Sequence, residues 1–194
     1  RRLAHEIKNP LTPIQLSAQR IRKHFREQSS ELPRVVEECS GTIIEEVDSL
    51  KTLVDEFSQF ARMPAISPKT QALNPLIDGA LELYKGLFKE LTLETRLAPF
   101  LPETRLDPEL IRRVLINVID NAIEATEGKG HVWISTAYDP ETQMARIEVA
   151  DNGPGVSPEA RDKLFMPYYS TKRRGSGLGL AIVNRIVAEH RGRI

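Results

Sequence analysis

Asn117 and Asn121, in the run NVIDNA, stand four residues apart inside an otherwise apolar stretch. At that spacing they share one face of a helix. Two carboxamide oxygens on one face suit a hard cation such as Mg²⁺, although a core hydrogen bond or plain surface polarity is the simpler use. DNGPGV, residues 151–156, follows directly on a strand pattern. Its residues are those of an ordinary turn. Equally, Asp151 at a strand end can accept a hydrogen bond from the amine of a base, while Gly153 and Gly155 let a ligand approach the backbone. GSGLGL, residues 175–180, opens a helical pattern, where free backbone N–H groups form a cradle for phosphate. A lone loop of this kind does not define a function. Just before it, Lys172, Arg173 and Arg174 offer cations for a triphosphate or make an ordinary basic surface loop.

The remaining reactive group is His5, in HEIKNPLTP, with Pro10 and Pro13 three apart behind it. A proline in a helix interior costs about 3 kcal/mol, since it removes a donor and clashes with the preceding turn. One reading restarts the helix here, with Asn9 capping at Pro10 or Thr12 and Gln15 forming a capping box. The other is one kinked helix. Leu3, Ile7, Leu11, Ile14, Ala18, Ile21 and Phe25 recur at spacings of three and four straight through both prolines, which favours the kinked helix. Each proline leaves a carbonyl unpaired, on Glu6 and on Asn9, so the helix is weakened beside His5.

These groups need elements to carry them. After the loop QSSELP at 28–33, a second stripe runs through Val35, Cys39, Ile43, Val47, Leu50, Val54, Phe57 and Ala61 to about Arg62. Two such helices joined by a tight loop predict an antiparallel hairpin. One hairpin cannot bury both stripes, whereas two hairpins can form a four-helix bundle, so residues 1–62 predict a homodimer. Residues 63–72, with Pro64 and Pro68, read as a linker. Residues 73–194 change character. Asn74-Pro75 and Asp107-Pro108 predict helix starts, TLETRLAP is a strand candidate, HVWISTAYD and ARIEVAD predict strands around a DPETQ turn, and GLGLAIVNRIVAEH predicts a final helix. Antiparallel strands mixed with helices predict a two-layer α+β sandwich.

Composition bounds the function. Lys plus Arg and Asp plus Glu both total 27, so a net charge of zero gives no electrostatic case for binding nucleic acid. Cys39 is the single cysteine, which excludes an internal disulfide, and its place on an apolar stripe predicts burial. No apolar run approaches the roughly 20 residues that span a bilayer. His24 and His190 read as surface helix residues and His131 as a strand-edge residue.

The order of the motifs is more specific than any one of them. The chain resembles the sensor histidine kinases of two-component systems: HEIKNP matches their H-box, NVIDNA their N-box, DNGPG their G1 box, LFMPYYSTK their F-box and GSGLGL their G2 box. The details are most similar to the nitrogen-regulation kinases, NtrY-type before NtrB-type. The resemblance implies a dimerisation and histidine-phosphotransfer hairpin followed by a Bergerat-fold ATP-binding domain. It implies that His5 is the phosphoacceptor, attacking the γ-phosphate of ATP, and that Glu6 orients the ring and takes its other proton. Asn121 with Asn117 matches the Mg²⁺ positions, and Asp151 the adenine-reading aspartate. Gly153 and Gly155 would shape the pocket, while Lys172 and the backbone of Gly175, Gly177 and Gly179 would hold phosphates. The F- and G2-box matches add Phe165, Thr171, Ser176 and Leu178 to the ATP contacts. Asn9, in the pattern HExxN, resembles the residue of kinases that also dephosphorylate their receiver by holding a water.

The partners implied are a second copy of the chain and a response-regulator receiver domain. The setting implied is the cytoplasmic part of a bacterial protein anchored in the inner membrane through upstream segments. Two rivals stand beside this reading. One is an ATPase of the gyrase, Hsp90 and MutL group, in which a glutamate four residues before the Mg²⁺ asparagine activates water; Asn117 stands there instead. The other is a non-catalytic dimeric scaffold that binds nucleotide. The chain departs from the family pattern at its end, HRGRI, where RG replaces GG and closing strands are expected to follow.

Overall fold

The computed structural model describes residues 2–61, 65–170 and 177–194, with side chains described from Ile7 onward except at 56, 59 and 60. The chain divides into two compact units: Arg1–Met63 with Pro167–Leu178, and Pro64–Met166 with Gly179–Ile194.

The first unit is built on a hairpin of α1 (Arg2–Arg26) and α2 (Leu32–Ala61). Helix α1 runs unbroken through Pro10 and Pro13, as the apolar spacing predicts. Thr12 does not form a capping box; its hydroxyl donates back to the Lys8 carbonyl at 3.2 Å, the habit of a threonine inside a helix. The two helices meet through small or compact side chains. Pro10, Ser17, Val35, Cys39 and Leu53 are buried, Cys39 as its stripe predicts. Much of the stripe stays in water: Leu11, Val47 and Val54 are exposed and Phe25 is 69% exposed, as is Ile44 beside the stripe.

The second unit pairs helices with sheet. It contains β1 (Lys69–Gln71), α3 (Leu73–Leu81) continued by a 3-10 turn at Glu82–Tyr84, β2 (Glu90–Arg96), β3 (Thr104–Leu106), α4 (Pro108–Ala125), β4 (Lys129–Asp139), β5 (Met144–Asp151), α5 (Pro158–Arg161) and α6 (Gly179–Glu189). Strands β2, β4 and β5 form one sheet with β4 in the middle, and β1 and β3 pair separately. Alternate residues of β4, Val132, Ile134 and Thr136, point inward against the helices. Leu115 and Ile119 of α4, Ile182 and Ile186 of α6, and Ile77 of α3 complete the core.

Three expectations need correction. The sheet is mixed, because β2 and β4 run parallel from Glu90↔Lys129 to Arg96↔Ser135. Helix α4 lies between them in sequence and supplies the crossover that a parallel pair requires. The end of the predicted linker is strand β1, antiparallel to β3. And α3 starts at Leu73 after Ala72, so Asn74 is not its cap. The Asn74 side chain instead donates to the Ala98 carbonyl (2.9 Å) and accepts from the Thr136 hydroxyl (3.1 Å), stitching helix, loop and β4 together. The Asp107 cap of α4 is as predicted, with its carboxylate accepting from the N–H groups of Glu109 and Leu110.

Candidate functional site

Helix α4 organises the candidate nucleotide site. Its apolar residues Leu110, Val114, Leu115, Ile119 and Ile123 are buried, which leaves Asn117 and Asn121 half-buried on an adjoining face. Both amides are anchored in the same way. The Asn117 Nδ2 donates to the Arg113 carbonyl at 2.8 Å, and the Asn121 Nδ2 donates to the Asn117 carbonyl at 2.7 Å. Each NH₂ is thus engaged by its own helix, and a carboxamide oxygen is a ligand of the kind a hard cation takes.

The start of α6 lies against this face. A Cβ on Gly179 would sit 2.8 Å from Asn117 Oδ1 and 3.9 Å from Asn121 Nδ2, so only glycine lets the helix N-terminus come this close to the amides. The Asn117 amide oxygen beside the N–H end of an eleven-residue helix combines a cation-binding and an anion-binding group in one place. These residues therefore fit Mg²⁺ carrying phosphate.

Further along α4 lies the end of β5. A Cβ on Gly153 would lie 2.7 Å from the carbonyl of Ala125, the last residue of α4, so the turn after β5 is pressed onto the helix end. Asp151, exposed, closes this turn by accepting from the Gly153 N–H at 2.9 Å through Oδ1, which leaves Oδ2 for a ligand. From Asn117 to Ala125 the helix rises about 12 Å. The turn that carries Asp151 and the Asn117–Gly179 contact are thus set apart along a single helix.

Gly155, with φ +74°, lies in the same loop. Phe165 is half-buried after α5. Gly177 accepts at its carbonyl from the Tyr168 N–H (3.0 Å), and Leu178 is fully buried. Thr171, Lys172, Gly175 and Ser176 lie outside the described residues, as do Arg173 and Arg174. His5 and Glu6 lie in the first turns of α1, with side chains outside the described ones, and Asn9 is exposed one turn on.

Several positioning residues escape a reading by motif. Asn152 accepts from the His131 N–H through Oδ1 (2.9 Å) and donates its own N–H to the His131 carbonyl (3.2 Å), which fixes the turn beside Asp151. Its place in DNGPGV marks a turn but not this partner. His131 itself is on the central strand, stacked on Trp133 with ring centroids 5.5 Å apart. Tyr84 donates to Asp120 on α4 at 2.7 Å. Burial first, and then that carboxylate, push its phenol well above the usual tyrosine range. His190 is not a surface residue: half-buried at the end of α6, it bonds through both ring nitrogens, to the Asp107 N–H and the Ile186 carbonyl.

With this geometry in place, comparison with known proteins defines the class. Residues 1–66 match the His Kinase A (phospho-acceptor) domain and residues 106–194 the histidine kinase-, DNA gyrase B- and HSP90-like ATPase domain. The chain belongs to the sensor histidine kinases. Over its whole length it is 39% identical to the nitrogen regulation protein NtrY of Azorhizobium caulinodans, of which it covers 26%. It is 31% identical, over 99% of its length, to the signal transduction histidine-protein kinase AtoS of Escherichia coli, of which it covers 31%. The chain thus spans about a quarter to a third of the curated relatives it matches. Among solved structures, histidine kinase ThkA in complex with response regulator protein TrrA matches 98% of this chain and 54% of its own, with a TM-score of 0.72 at 27% identity. Full-length ShkA in complex with AMPPNP matches 96% of this chain and 40% of its own, with a TM-score of 0.66 at 28% identity.

Proposed function

We propose that this chain is the catalytic core of a sensor histidine kinase that phosphorylates His5 from ATP and passes the phosphoryl group to an aspartate of a response-regulator receiver domain. The observation that supports the proposal is the meeting of Asn117, Asn121 and Gly179, two amide side chains beside a helix N-terminus in a chain that also has an H-box. In this reading residues 1–62 are the phosphotransfer hairpin, 63–72 the linker and 73–194 the ATP-binding domain, with β1 already part of the latter's framework.

Asp151 reads the adenine amine through its outward oxygen, while Gly153 and Gly155 admit the base. Asn117 and Asn121 would hold Mg²⁺, which would neutralise phosphate charge. Lys172, Thr171, Ser176 and the N–H groups of Gly175, Gly177, Leu178 and Gly179 hold the phosphates, and Phe165 supports the loop that carries them. Nε2 of His5 then attacks the γ-phosphorus. The bond to the β–γ bridging oxygen breaks, ADP leaves with that electron pair, and Glu6 takes the proton from Nδ1. Such transfer rests mainly on positioning and charge neutralisation, and this inventory supplies both. At the position where a hydrolase of the superfamily carries a base, Asn117 offers an amide already bonded to its helix. That favours phosphoryl transfer over hydrolysis.

The exposed apolar residues of α1 and α2 support a homodimer that closes a four-helix bundle. Asn9 supports a second activity, dephosphorylation of the receiver. No described helix is long and apolar enough to cross a membrane. We place this core in the bacterial cytoplasm, attached to inner-membrane segments elsewhere in the parent protein.

Incubation with γ-labelled ATP·Mg²⁺ and then a receiver domain tests the proposal. Label should enter the chain, resist base but not acid, and move to the receiver. Release of free phosphate without protein labelling would point to an ATPase instead.

A further inference from the structure

The carboxylate of Asp107 does more than cap a helix. Oδ1 accepts from Glu109 and Leu110 at the start of α4, and Oδ2 accepts from the backbone N–H of Ser67 at 2.9 Å, across forty positions of sequence. Ser67 lies in the segment that leads from α2 to β1. The Asp107 N–H donates in turn to Nε2 of His190 at 2.9 Å, while the other ring nitrogen of His190 holds the Ile186 carbonyl at 2.7 Å. One residue therefore joins the linker, the first turn of α4 and the last turn of α6. The same two helices meet again at their other contact, where Gly179 packs on Asn117. They run antiparallel and are pinned at two places, one at the candidate phosphate site and one at the linker.

We propose that Asp107 is a positioning residue for the nucleotide site: its bonds to Ser67 and His190 tie the linker to α4 and α6, so that the hold on the linker is felt as nucleotide affinity. The inference rests on the reading of α4 and the start of α6 as that site. A tether between two rigid helices and an extended segment transmits displacement because none of its parts yields easily. Coupling of this kind is reciprocal: if fastening Ser67 tightens nucleotide binding, bound nucleotide must hold Ser67 in place by the same factor.

Two substitutions separate the tether from the cap. Asp107→Asn keeps one oxygen for capping, where asparagine serves as well as aspartate, and loses the second acceptor. Ser67→Pro deletes the donor without touching α4. ADP·Mg²⁺ affinity is measured by calorimetry on the 194-residue chain and each variant, with thermal unfolding as a check on folding. Each variant should bind ADP about five-fold or more weakly, and the double variant no more weakly than the weaker single one, because both break one bond. In wild type, ADP should slow hydrogen exchange of the Ser67 amide by a similar factor, and in Asp107→Asn it should not. Unchanged affinity in Asp107→Asn, additive losses in the double variant, or Ser67 exchange indifferent to ADP would each overturn the tether. Should Ser67→Pro fail to fold, Asp107→Asn and the exchange measurement decide alone. Wild type that does not bind ADP would contradict the site itself.

Discussion

At the scale of single residues, one oxygen of Asp151 already accepts from Gly153, and the proposal gives the other to the base. Asparagine in its place would keep the turn and present an NH₂ to the base. Losing a charge-assisted hydrogen bond costs about 1.5–3 kcal/mol, so Asp151→Asn should weaken ATP about ten- to a hundredfold by calorimetry, with the turn intact. Equal affinity would leave Asp151 as a turn residue only. Asn9 is a different case. It is exposed, one turn beyond His5, and its amide can hold a water but is a poor base. Asn9→Ala should still label at His5 yet lose phosphatase activity toward a phosphorylated receiver by about a hundredfold, the scale of a lost orientation effect. Equal decay of the phosphorylated receiver with both proteins would reduce Asn9 to a helix residue.

At the scale of elements, the start of α4 responds to acid. Partial burial opposes ionisation of Asp107, but the N–H groups of Ser67, Leu110 and Glu109 outweigh it and hold the carboxyl below the usual aspartate range. A depressed folded-state value means stability that is fully present above the ordinary aspartate pKa of about 3.9 and lost as pH falls through the lower, folded value. Thermal unfolding followed from pH 6 downward should therefore show an acid limb below about pH 4 that is shallower in Asp107→Asn. An identical limb in both would mean that other carboxylates control it. What sequence made legible follows the same physics. Periodicity over 25 residues carried α1 through two prolines, although the described residues of α1 that are buried in the hairpin are Pro10 and Ser17 and not those of the stripe. The Asp107-Pro108 start was readable because its cap is local. Asn74-Pro75 has the same form, yet Asn74 is recruited by Ala98 and Thr136, far away in sequence. Pairing of β2 with β4, the β1–β3 ribbon and the role of His190 were hidden for the same reason, since each depends on a partner that no spacing reveals. The approach of Gly179 to Asn117 joins two motifs that sequence shows only as neighbours in order.

At the scale of the whole molecule, the hairpin leaves apolar side chains in water on a scale that a second copy would cover. Ile44 is 62% exposed and Val47 50%. Burying such side chains yields roughly 1.5–3 kcal/mol each, so replacing both by glutamate should turn a dimer into a monomer in sedimentation equilibrium at micromolar concentration. A double variant that sediments as wild type would place the dimer contact elsewhere. The central claim is phosphoryl transfer to His5, and one measurement tests it most directly. Wild type and His5→Gln are incubated with γ-labelled ATP·Mg²⁺, and the label on protein is counted beside ADP affinity for each. His5 belongs to one unit of the chain, and Asn117, Asn121, Asp151 and Gly179 to the other. Wild type should carry acid-labile, base-stable label, His5→Gln none, and both should bind ADP with the same affinity. Persistent acid-labile label on His5→Gln would contradict transfer to His5.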